Sequence, residues 1–573
     1  MNLPDGAKQN LDNWFADLGA GANIAERLGV VVGGSLSKGL VVKLDRGQSI
    51  EEMAVGRYVV VRGVRKRFFC MVTDIVLNST NPAIQSDPPD MSDKFLSEIY
   101  LGTAAYGTIN VAPMLSIDDE GSEAGKPKPV KTIPSHFMPV DNATVEDVNA
   151  VFGEEDGTHF NVGAPLELET TQINLDLHRL VERSVGVFGK SGTGKSFLTR
   201  LLLAGIIERQ QAVNLIFDMH NDYGWEVVDE RGPKVKGLKQ LFPSEVSIIT
   251  LDPESSNRRN ARYDFAVRLG YSEIQPEDIA MLRETMALSD AMVDAAYTLA
   301  KKWDVDWIAR LLKADPDDIE DIEETTPVMR GTMSALTRRL ERFQRWSFLT
   351  PEAPDDSVDK IIRLLVEERK HVVLEFGRYG NSLEAYILVA NYLTRRIHER
   401  YVEQVEKALG DTAMQPPQLL ITIEEAHKFL DPKIASQTIF GIIAREMRKY
   451  NVTLLIVDQR PSGIDEEVMS QIGTRVTALL DNDRDINAVL TGINGAAGLR
   501  EVLARLDTKQ QAIIMGHAVP MPVVVKTRNY DEAFYAAIAG GGTNGGNGSQ
   551  RPAVDSASAR KTLGGGGKPR RMG

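Results

Sequence analysis

The first 140 residues alternate short apolar runs with turn residues, as in an all-β module. The runs are rich in Val, Ile and Phe, are separated by Gly, Ser or Asp, and lie at 28–32, 38–44, 57–62, 66–77 and 107–112. Short strands at this spacing are typical of a small sandwich or barrel. A Pro-rich polar stretch around residues 125–129 predicts an exposed loop or linker. We therefore expect an N-terminal segment over 1–27 and a β module over 28–140.

From about residue 183 the apolar runs become continuous and alternate with helical segments. Strands buried on both faces of a parallel sheet have this composition. The runs lie at 184–189, 213–218, 246–251, 371–376, 418–424 and 452–458, with further strands of the same sheet predicted at 475–480, 511–515 and 522–526. The pattern predicts an α/β domain with a parallel-rich sheet over 141–255 and 351–538.

Residues 256–350 interrupt this alternation and predict a helical insertion. Trp303 and Trp307 are spaced as i and i+4, and residues 335–346 form an amphipathic helix. Its apolar face contains Leu336, Leu340 and Phe343, and its basic face contains Arg338, Arg339, Arg342 and Arg345. We interpret the basic face as a solvated surface, with DNA contact as the alternative. From residue 539 the chain is rich in Gly, Asn and Ser, which predicts a disordered, mostly basic tail over 539–573.

Composition narrows the class of protein. The 573 residues are too many for one hydrophobic core, and the single cysteine, Cys70, excludes an intrachain disulfide framework and a cysteine-based zinc cluster. The N-terminal sequence has no secretory pattern, and the apolar runs are shorter than the ~18 residues of a membrane helix. We expect a cytoplasmic protein without membrane insertion. The net charge of −14 argues against a surface coated in DNA-binding charge but allows a local basic channel.

Residues 189–196, GKSGTGKS, match the phosphate-binding pattern G-x-x-x-x-G-K-[ST] in full. An apolar strand precedes the motif and a helix follows it, as the motif requires. Its glycines let backbone N–H groups face phosphate at a helix N-terminus. We expect Lys195 to bridge the β- and γ-phosphates and Ser196 to hold Mg²⁺. The predicted binding loop for a nucleoside triphosphate, expected to be ATP, consists of Gly189, Lys190, Ser191, Gly192, Thr193, Gly194, Lys195 and Ser196.

Two adjacent carboxylates follow another buried strand. The apolar run 418–424 ends in Glu424, and Glu425 and His427 come next. A carboxylate at a strand end beside the phosphate loop can hold the magnesium shell, which we assign to Glu424. The next residue can act as general base on the attacking water, which we assign to Glu425. A solvated acidic turn is the alternative. His427 is expected to couple the site to DNA or a neighbour, or to cap the turn.

The strand 452–458 is followed by Gln459, whose amide can contact the γ-phosphate or the lytic water as a sensor. Arg445 and Arg448 are three residues apart on the preceding helix and can face one site. A guanidinium from outside the phosphate loop can neutralise charge on the γ-phosphate, which makes both arginines candidates for a finger. The alternative is surface ion pairing with Glu446 or Glu425.

Polar and aromatic residues also follow the strand 213–218. They lie at the carboxyl end of a parallel strand, where ligands bind in α/β sheets. We expect Asp218 to help the active site. Residues 221–224 are interpreted as a loop facing a central pore, with an ordinary loop as the alternative.

Four motifs occur in a fixed order: GKSGTGKS at 189–196, DMHNDYG at 218–224, ITIEEAHKFL at 421–430 and IAREMRKYNVTLLIVDQRPS at 443–462. With the preceding β module and the helical insertion, the chain resembles the HerA branch of the HerA/FtsK superfamily of DNA-pumping ATPases over about residues 28–530. It departs from the family pattern at two kinds of position. In the finger segment, Met447 and Asn451 occupy positions where the family usually has glycine. The loop that commonly reads Gly-Glu-Tyr in the family is Asn221-Asp222-Tyr223 here.

The resemblance implies a RecA-like P-loop core, an N-terminal barrel similar to the HAS barrel, and a homo-hexameric ring. ATP would lie at subunit interfaces, where Arg445 or Arg448 would act in trans or in cis, and double-stranded DNA would pass through the centre. Family members work with a NurA-type nuclease at DNA ends, and others pair with effectors in antiviral defence. Candidate residues for a basic bore are Lys234, Lys236 and Lys239.

The leading hypothesis is an ATP-driven DNA translocase or helicase that acts on double-stranded DNA in end processing and double-strand-break repair with a nuclease partner. The alternative is an ATPase ring that scaffolds or gates an effector protein in antiviral defence. A conjugation-type DNA pump is a third hypothesis, which the lack of a predicted membrane segment weakens.

Overall fold

The computed structural model describes residues 27–87, 92, 100, 104–119, 125–166, 168–228, 234–353, 356–410, 415–435, 438–446, 449–493, 496–508 and 510–541. Three predictions fall outside these described residues. They concern the N-terminal segment up to residue 26, the tail beyond residue 541, and the candidate finger Arg448 with its neighbour Met447.

The N-terminal module is a closed six-stranded antiparallel barrel with one additional strand. Its strands are β1 (Arg27–Ser35), β2 (Gly39–Leu44), β3 (Tyr58–Arg62), β4 (Lys66–Ser79), β5 (Ala105–Asp118), β6 (Pro127–Pro129) and β7 (Pro139–Asn142). Neighbouring strands follow the order β2-β1-β7-β3-β4-β5-β6, and a pairing between β2 and β5 closes the barrel. Of the sandwich and the barrel that the pattern allowed, the structure shows the barrel.

Two of these strands differ from the prediction. Residues 127–129, predicted as loop, form β6 beside β5, and residues 139–142 form β7 between β1 and β3. The barrel therefore extends to Asn142, just beyond the predicted end at residue 140. Both strands are short and contain proline, so they lack the apolar alternation by which a strand is recognised.

Strand β3 of the barrel buries both of its faces. Side chains alternate along β3, so Val59 and Val61 line the barrel interior while Tyr58 and Val60 join the core of the larger domain. The Tyr58 hydroxyl donates a hydrogen bond to the carbonyl oxygen of Pro522 at 3.3 Å. The barrel is thus packed directly against the larger domain.

Among the described residues, the larger domain contains a twelve-stranded mixed sheet and two small two-stranded sheets. The strands that follow the barrel are β8 (His159–Pro165), β9 (Ile173–Asp176), β10 (Val185–Phe188), β11 (Val213–Asp218), β12 (Val227–Val228), β13 (Lys234–Val235), β14 (Val246–Thr250), β15 (Phe265–Ala266), β16 (Leu269–Gly270), β17 (Leu349–Thr350), β18 (His371–Glu375), β19 (Leu419–Glu424), β20 (Val452–Asp458), β21 (Thr474–Thr477), β22 (Gln511–Gly516) and β23 (Val523–Thr527). The large sheet has the order β15-β14-β18-β11-β19-β20-β10-β21-β22-β23-β8-β9. The strands from β15 to β21 in this order run parallel and the others antiparallel, which confirms the parallel-rich sheet.

Helices cover the faces of the sheet and form the insertion. The α-helices of the described residues are Pro82–Ser86, Val145–Phe152, Leu177–Val181, Lys195–Glu208, Leu238–Leu241, Pro253–Arg258, Pro276–Ala280, Asp290–Trp303, Trp307–Lys313, Pro316–Thr325, Arg330–Leu340, Ser357–Ile362, Leu383–Ala408, Ile439–Glu446, Glu466–Gln471, Asp483–Leu490, Ala496–Ala504 and Glu532–Gly541. The last helix ends at Gly541, so residues 539–541, predicted as part of the tail, are helical. No helix of the described ranges is long and apolar enough to cross a bilayer.

The insertion is helical, as predicted, but begins later than residue 256. Phe265–Ala266 returns to the large sheet as β15 and pairs with β14. Trp303 and Trp307 do not share a helix, because Asp304 has a φ of 54° and ends the first one. Leu336 and Phe343 are buried as predicted, although the segment passes from α-helix into a 3-10 turn after Leu340.

Candidate active site

The phosphate loop joins the C-terminal end of β10 to the helix Lys195–Glu208. Gly192 and Gly194 have φ of 78° and 93°, a region that glycine adopts most readily. The Thr193 hydroxyl and the Lys195 ammonium both donate to the carbonyl oxygen of Lys190, at 2.7 Å and 3.0 Å. These contacts curl the loop over the helix N-terminus, where free N–H groups can bind phosphate.

The two lysines of the loop face different surroundings. Burial lowers the pKa of the Lys195 ammonium, and the nearby carboxylates of Glu425 and Asp458 oppose that shift. Lys190 extends outward and pairs with Asp481 in the segment that follows β21. Lys195 therefore faces the acidic edge of the sheet, whereas the Lys190 side chain ties the loop to a neighbouring segment.

The strand order brings the other predicted groups to the same edge. β20 lies between β10 and β19, and the register pairs Phe188 of β10 with Asp458 and Glu424 of β19 with Val457. The carboxyl ends of these parallel strands are therefore level with one another. Glu424 is the last residue of β19, and the phosphate loop, Glu425 and Gln459 directly follow the three strand ends, so these groups lie side by side.

Glu424 is the last residue of β19 and is 6% exposed. Its Oε1 accepts a 2.8 Å hydrogen bond from the Tyr223 hydroxyl, and its Oε2 is buried with no hydrogen-bond partner in the described part of the chain. Burial raises the pKa of Glu424 to about 7, against the opposing effect of the Tyr223 hydrogen bond. A buried carboxylate oxygen without a partner is costly, so this oxygen is suited to a cation.

Glu425 turns away from its neighbour. Its φ of 51° is unusual for a residue with a side chain and directs the carboxylate to a partly exposed position. There Oε1 accepts a 3.0 Å hydrogen bond from the Gln459 side-chain amide. The two successive carboxylates thus differ, with Glu424 buried in the sheet edge and Glu425 accessible to water.

His427 forms its hydrogen bonds with Asp458 of the same chain. Its backbone N–H donates to Oδ2 of Asp458 at 2.7 Å, and its Nδ1 lies 3.0 Å from the same oxygen. The other oxygen of Asp458 accepts from the backbone N–H of Arg460 at 2.6 Å. Of the two roles considered for His427, this geometry favours capping of the turn.

Asp218 organises the loop after β11. Its carboxylate accepts the backbone N–H groups of Asp222, Tyr223 and Gly224, at 2.6 Å, 2.9 Å and 3.1 Å. Burial, followed by the charge of Glu375, raises the pKa of Asp218 to about 7. Tyr223 and Gly224 are buried, so the expectation that residues 221–224 face a pore is wrong for these two. The Tyr223 ring packs into the core, and its hydroxyl donates a hydrogen bond to Glu424.

Arg445 lies on the helix Ile439–Glu446 and is paired within its own chain. Its Nε lies 3.1 Å from Glu467, and a guanidinium nitrogen lies 3.8 Å from Asp465. These partners differ from Glu446 and Glu425, the ion-pair partners expected from the sequence. Arg445 is partly exposed, so its guanidinium is accessible from the surface.

The three lysines considered for the basic bore each contact another group of the chain. Lys234 pairs with Glu226, and Lys236 pairs with Glu532. Lys239 instead donates to the carbonyl oxygen of Val246 at 2.6 Å. Lys239 is thus used within the fold, while the other two lysines stay at the surface.

The residues present fit a magnesium ion. Ser196 lies in the first turn of the phosphate-loop helix and supplies a hydroxyl, and Glu424 supplies the unpartnered Oε2. Mg²⁺ prefers oxygen ligands and completes its coordination with water and substrate phosphates, so two protein groups suffice. The chemistry of the donor set therefore agrees with the sequence-based assignment.

Two regions of the chain match known family models. The HAS barrel domain matches residues 28–132, and the central domain of helicase HerA matches residues 160–397. The chain is similar to the HerA family in both regions. As a HerA-type P-loop ATPase it is an enzyme, and the family resemblance inferred from the motifs is confirmed. Glu424, Glu425 and Gln459 lie beyond the matched ranges, so their roles rest on geometry.

Curated relatives of this HerA-type chain include two archaeal proteins named "DNA double-strand break repair helicase HerA". The one from Pyrococcus furiosus is 27% identical over 404 residues, which cover 65% of this chain and 70% of that protein. The one from Sulfurisphaera tokodaii is 25% identical over 515 residues, which cover 88% of this chain and 93% of that protein. Among solved structures, the bacterial conjugative coupling protein TrwBdeltaN70 is similar to this chain with a TM-score of 0.43 and 12% identity. The matched region covers 68% of this chain and 93% of the TrwBdeltaN70 chain.

Proposed function

We propose that this chain is an ATP-driven translocase or helicase that acts on double-stranded DNA as a homo-hexameric ring. Its role would be end processing in double-strand-break repair, together with a nuclease partner of the NurA type. The observation that carries the proposal is the convergence of Lys195, Glu424, Glu425 and Gln459 at one edge of the sheet. The names of the relatives, which are double-strand-break repair helicases, support the DNA substrate.

In the proposed reaction the phosphate loop holds the triphosphate of ATP through its backbone N–H groups and Lys195. Ser196 and Glu424 would hold Mg²⁺, which would supply positive charge to offset that of the phosphates. Glu425 accepts a proton from the attacking water, because its carboxylate is accessible and is oriented by Gln459. Gln459 contacts the γ-phosphate or that water and so senses the nucleotide.

Charge on the γ-phosphate also needs a guanidinium. Arg445 is the described candidate for the finger, and Arg448 lies outside the described residues. Arg445 would act on the nucleotide of a neighbouring subunit of the ring. Its ion pairs with Asp465 and Glu467 would then hold it at the subunit surface.

The test is the ATPase rate with and without linear duplex DNA, at two salt concentrations, for the wild type and Glu425→Gln. A translocase contacts DNA phosphates, so stimulation should be independent of sequence and weaker at high salt. The proposal predicts strong stimulation by DNA, which Glu425→Gln abolishes. An ATPase that depends on Glu425 but ignores DNA would contradict it and favour a ring that gates an effector protein.

A further inference from the structure

Two buried tyrosines hold Glu424 from different elements. Tyr386, on the helix Leu383–Ala408, donates its hydroxyl to the carbonyl oxygen of Glu424 and accepts from the backbone N–H of Glu424, both at 3.0 Å. Tyr223, in the loop after β11, donates to Oε1 of Glu424 at 2.8 Å. Both tyrosines are 0% exposed. One tyrosine therefore fixes the backbone of Glu424 and the other fixes its carboxylate.

The position of the Tyr223 hydroxyl is itself fixed. Asp218 binds the backbone N–H group of Tyr223 and those of its two neighbours. Arg200, on the phosphate-loop helix, donates to the carbonyl oxygen of Asp222 at 2.8 Å. The loop is thus tied both to the end of β11 and to the helix that begins at the phosphate loop.

This arrangement gives the two oxygens of Glu424 different roles. Oε1 is committed to the Tyr223 hydroxyl, and Oε2 is buried without a partner in the described chain. Without the hydroxyl, the carboxylate would be free to rotate about its last side-chain bond. Groups that orient a metal-binding carboxylate in this way commonly set its affinity for the metal.

We propose that Tyr223, assisted by Tyr386, is a positioning residue that orients the carboxylate of Glu424 toward the magnesium ion of the bound nucleotide. The inference rests on the proposed function, in which Glu424 belongs to the magnesium shell. Both tyrosines are fully buried and contact Glu424, so both act through Glu424.

The experiment compares Tyr223→Phe and Tyr386→Phe with a matched control, Tyr401→Phe. Tyr401 is on the same long helix as Tyr386 and is equally buried, and its hydroxyl has no hydrogen-bond partner among the described residues. For each full-length variant, the Mg²⁺ concentration for half-maximal effect is measured in ATP hydrolysis and in binding of a fluorescent ATP analogue. A melting curve checks that each variant is folded.

Tyr223→Phe should raise both Mg²⁺ requirements about tenfold, the lower end of the range for partners of metal ligands. The kcat at saturating Mg²⁺ should change by less than about threefold, because the chemical groups remain in place. Tyr386→Phe should act in the same direction, and it decides the question if Tyr223→Phe does not fold. Tyr401→Phe should match the wild type.

Glu424→Gln, measured in parallel, distinguishes a failure of the proposed magnesium role of Glu424 from a failure of the positioning role of the tyrosines. If Glu424→Gln leaves the Mg²⁺ requirement unchanged, the assignment of Glu424 in the proposed site is wrong. If it raises the requirement while Tyr223→Phe and Tyr386→Phe both match Tyr401→Phe, the site stands and the positioning role is overturned. Adding Tyr223→Phe to Glu424→Gln should change the requirement by less than about twofold, because the tyrosine acts through Glu424. A further tenfold rise in the double variant would also overturn the positioning role.

Discussion

The side-chain amide of Gln459 donates a 3.0 Å hydrogen bond to Oε1 of Glu425 and so joins the groups that follow β20 and β19. Glu425 has a φ of 51° and a partly exposed side chain, so this hydrogen bond restricts the orientation of its carboxylate. The other carboxylate oxygen, Oε2, lies 3.6 Å from Nδ1 of His427. Glu425 also contributes to the electrostatic environment of Lys195, which places it near the phosphate loop.

Glu425→Gln should abolish hydrolysis while leaving nucleotide binding intact. A glutamine of the same shape cannot accept the proton of the attacking water, and a general base contributes about 10²- to 10⁴-fold to the rate. The measurement is kcat for ATP together with the affinity for a slowly hydrolysed analogue. A variant that loses affinity and rate in equal proportion would show that Glu425 binds nucleotide and is not the base.

Gln459→Ala should lower kcat about tenfold with a small change in KM, because it removes an orienting group and leaves the base in place. Steady-state kinetics on the isolated ATPase activity would show this split. The control is Gln471→Ala, at an exposed position at the end of the helix Glu466–Gln471. Wild-type kcat for Gln459→Ala would mean that the hydrogen bond has no catalytic role.

Arg445→Ala should lower kcat about 10³-fold, the lower end of the effect of an arginine finger. The ion pair with Glu467 suggests a simpler structural role, so Glu467→Gln is the control, since it breaks the pair and leaves the guanidinium. Mixing Arg445→Ala with Glu425→Gln should restore part of the activity if the finger acts across a subunit interface. Equal losses in Arg445→Ala and Glu467→Gln would show that the ion pair, not a finger, matters.

His371 should make the fold sensitive to acid. It is 4% exposed, and Nδ1 accepts hydrogen bonds from the side chain and the backbone N–H of Asn214, at 2.8 Å and 3.2 Å. Burial lowers the pKa of His371 from 6.5 to about 4, so the folded state prefers the neutral ring. Its contribution to stability is complete above pH 6.5 and is lost as the pH falls toward 4, a change of about 3 kcal/mol.

The apparent melting temperature should therefore fall more steeply between pH 7 and pH 4.5 for the wild type than for His371→Gln. His178→Gln is the control, because His178 is exposed. It should follow the wild-type curve. Parallel curves for the wild type and His371→Gln would show that the buried imidazole does not titrate in this range.

The groups that carry the chemistry could be predicted from the sequence because each follows a recognisable strand. Lys195 lies in a complete motif, and Glu424, Glu425 and Gln459 come at the ends of continuous apolar runs. Parallel strands bring their carboxyl ends to one edge, so three local patterns were sufficient to predict one site.

The partners of these groups could not be predicted. The sequence predicts Tyr223 as part of a pore loop, because a loop sequence does not reveal which aromatic ring turns inward. The contact of Asp458 with His427 could not be predicted either, since the sequence shows Asp458 only as the last residue of a buried strand. Both contacts join residues far apart in the chain, and they depend on strand order.

Missed strands have a related explanation. β8 and β9 lie at the antiparallel edge of the large sheet and contain Asn, Gly and Asp, so they lack the continuous apolar run of the central strands. β6 and β7 are short and contain proline, so they also lack the apolar pattern of a strand. Central parallel strands were recognised because burial on both faces leaves a clear signature.

The central claim is that ATP hydrolysis at this site moves the protein along double-stranded DNA. The direct measurement is ATP-dependent displacement of a triplex-forming oligonucleotide from one end of a linear duplex. The account predicts displacement with ATP for the wild type and none for Glu425→Gln or with a non-hydrolysable analogue. Rapid ATP hydrolysis on the same duplex without displacement would contradict it.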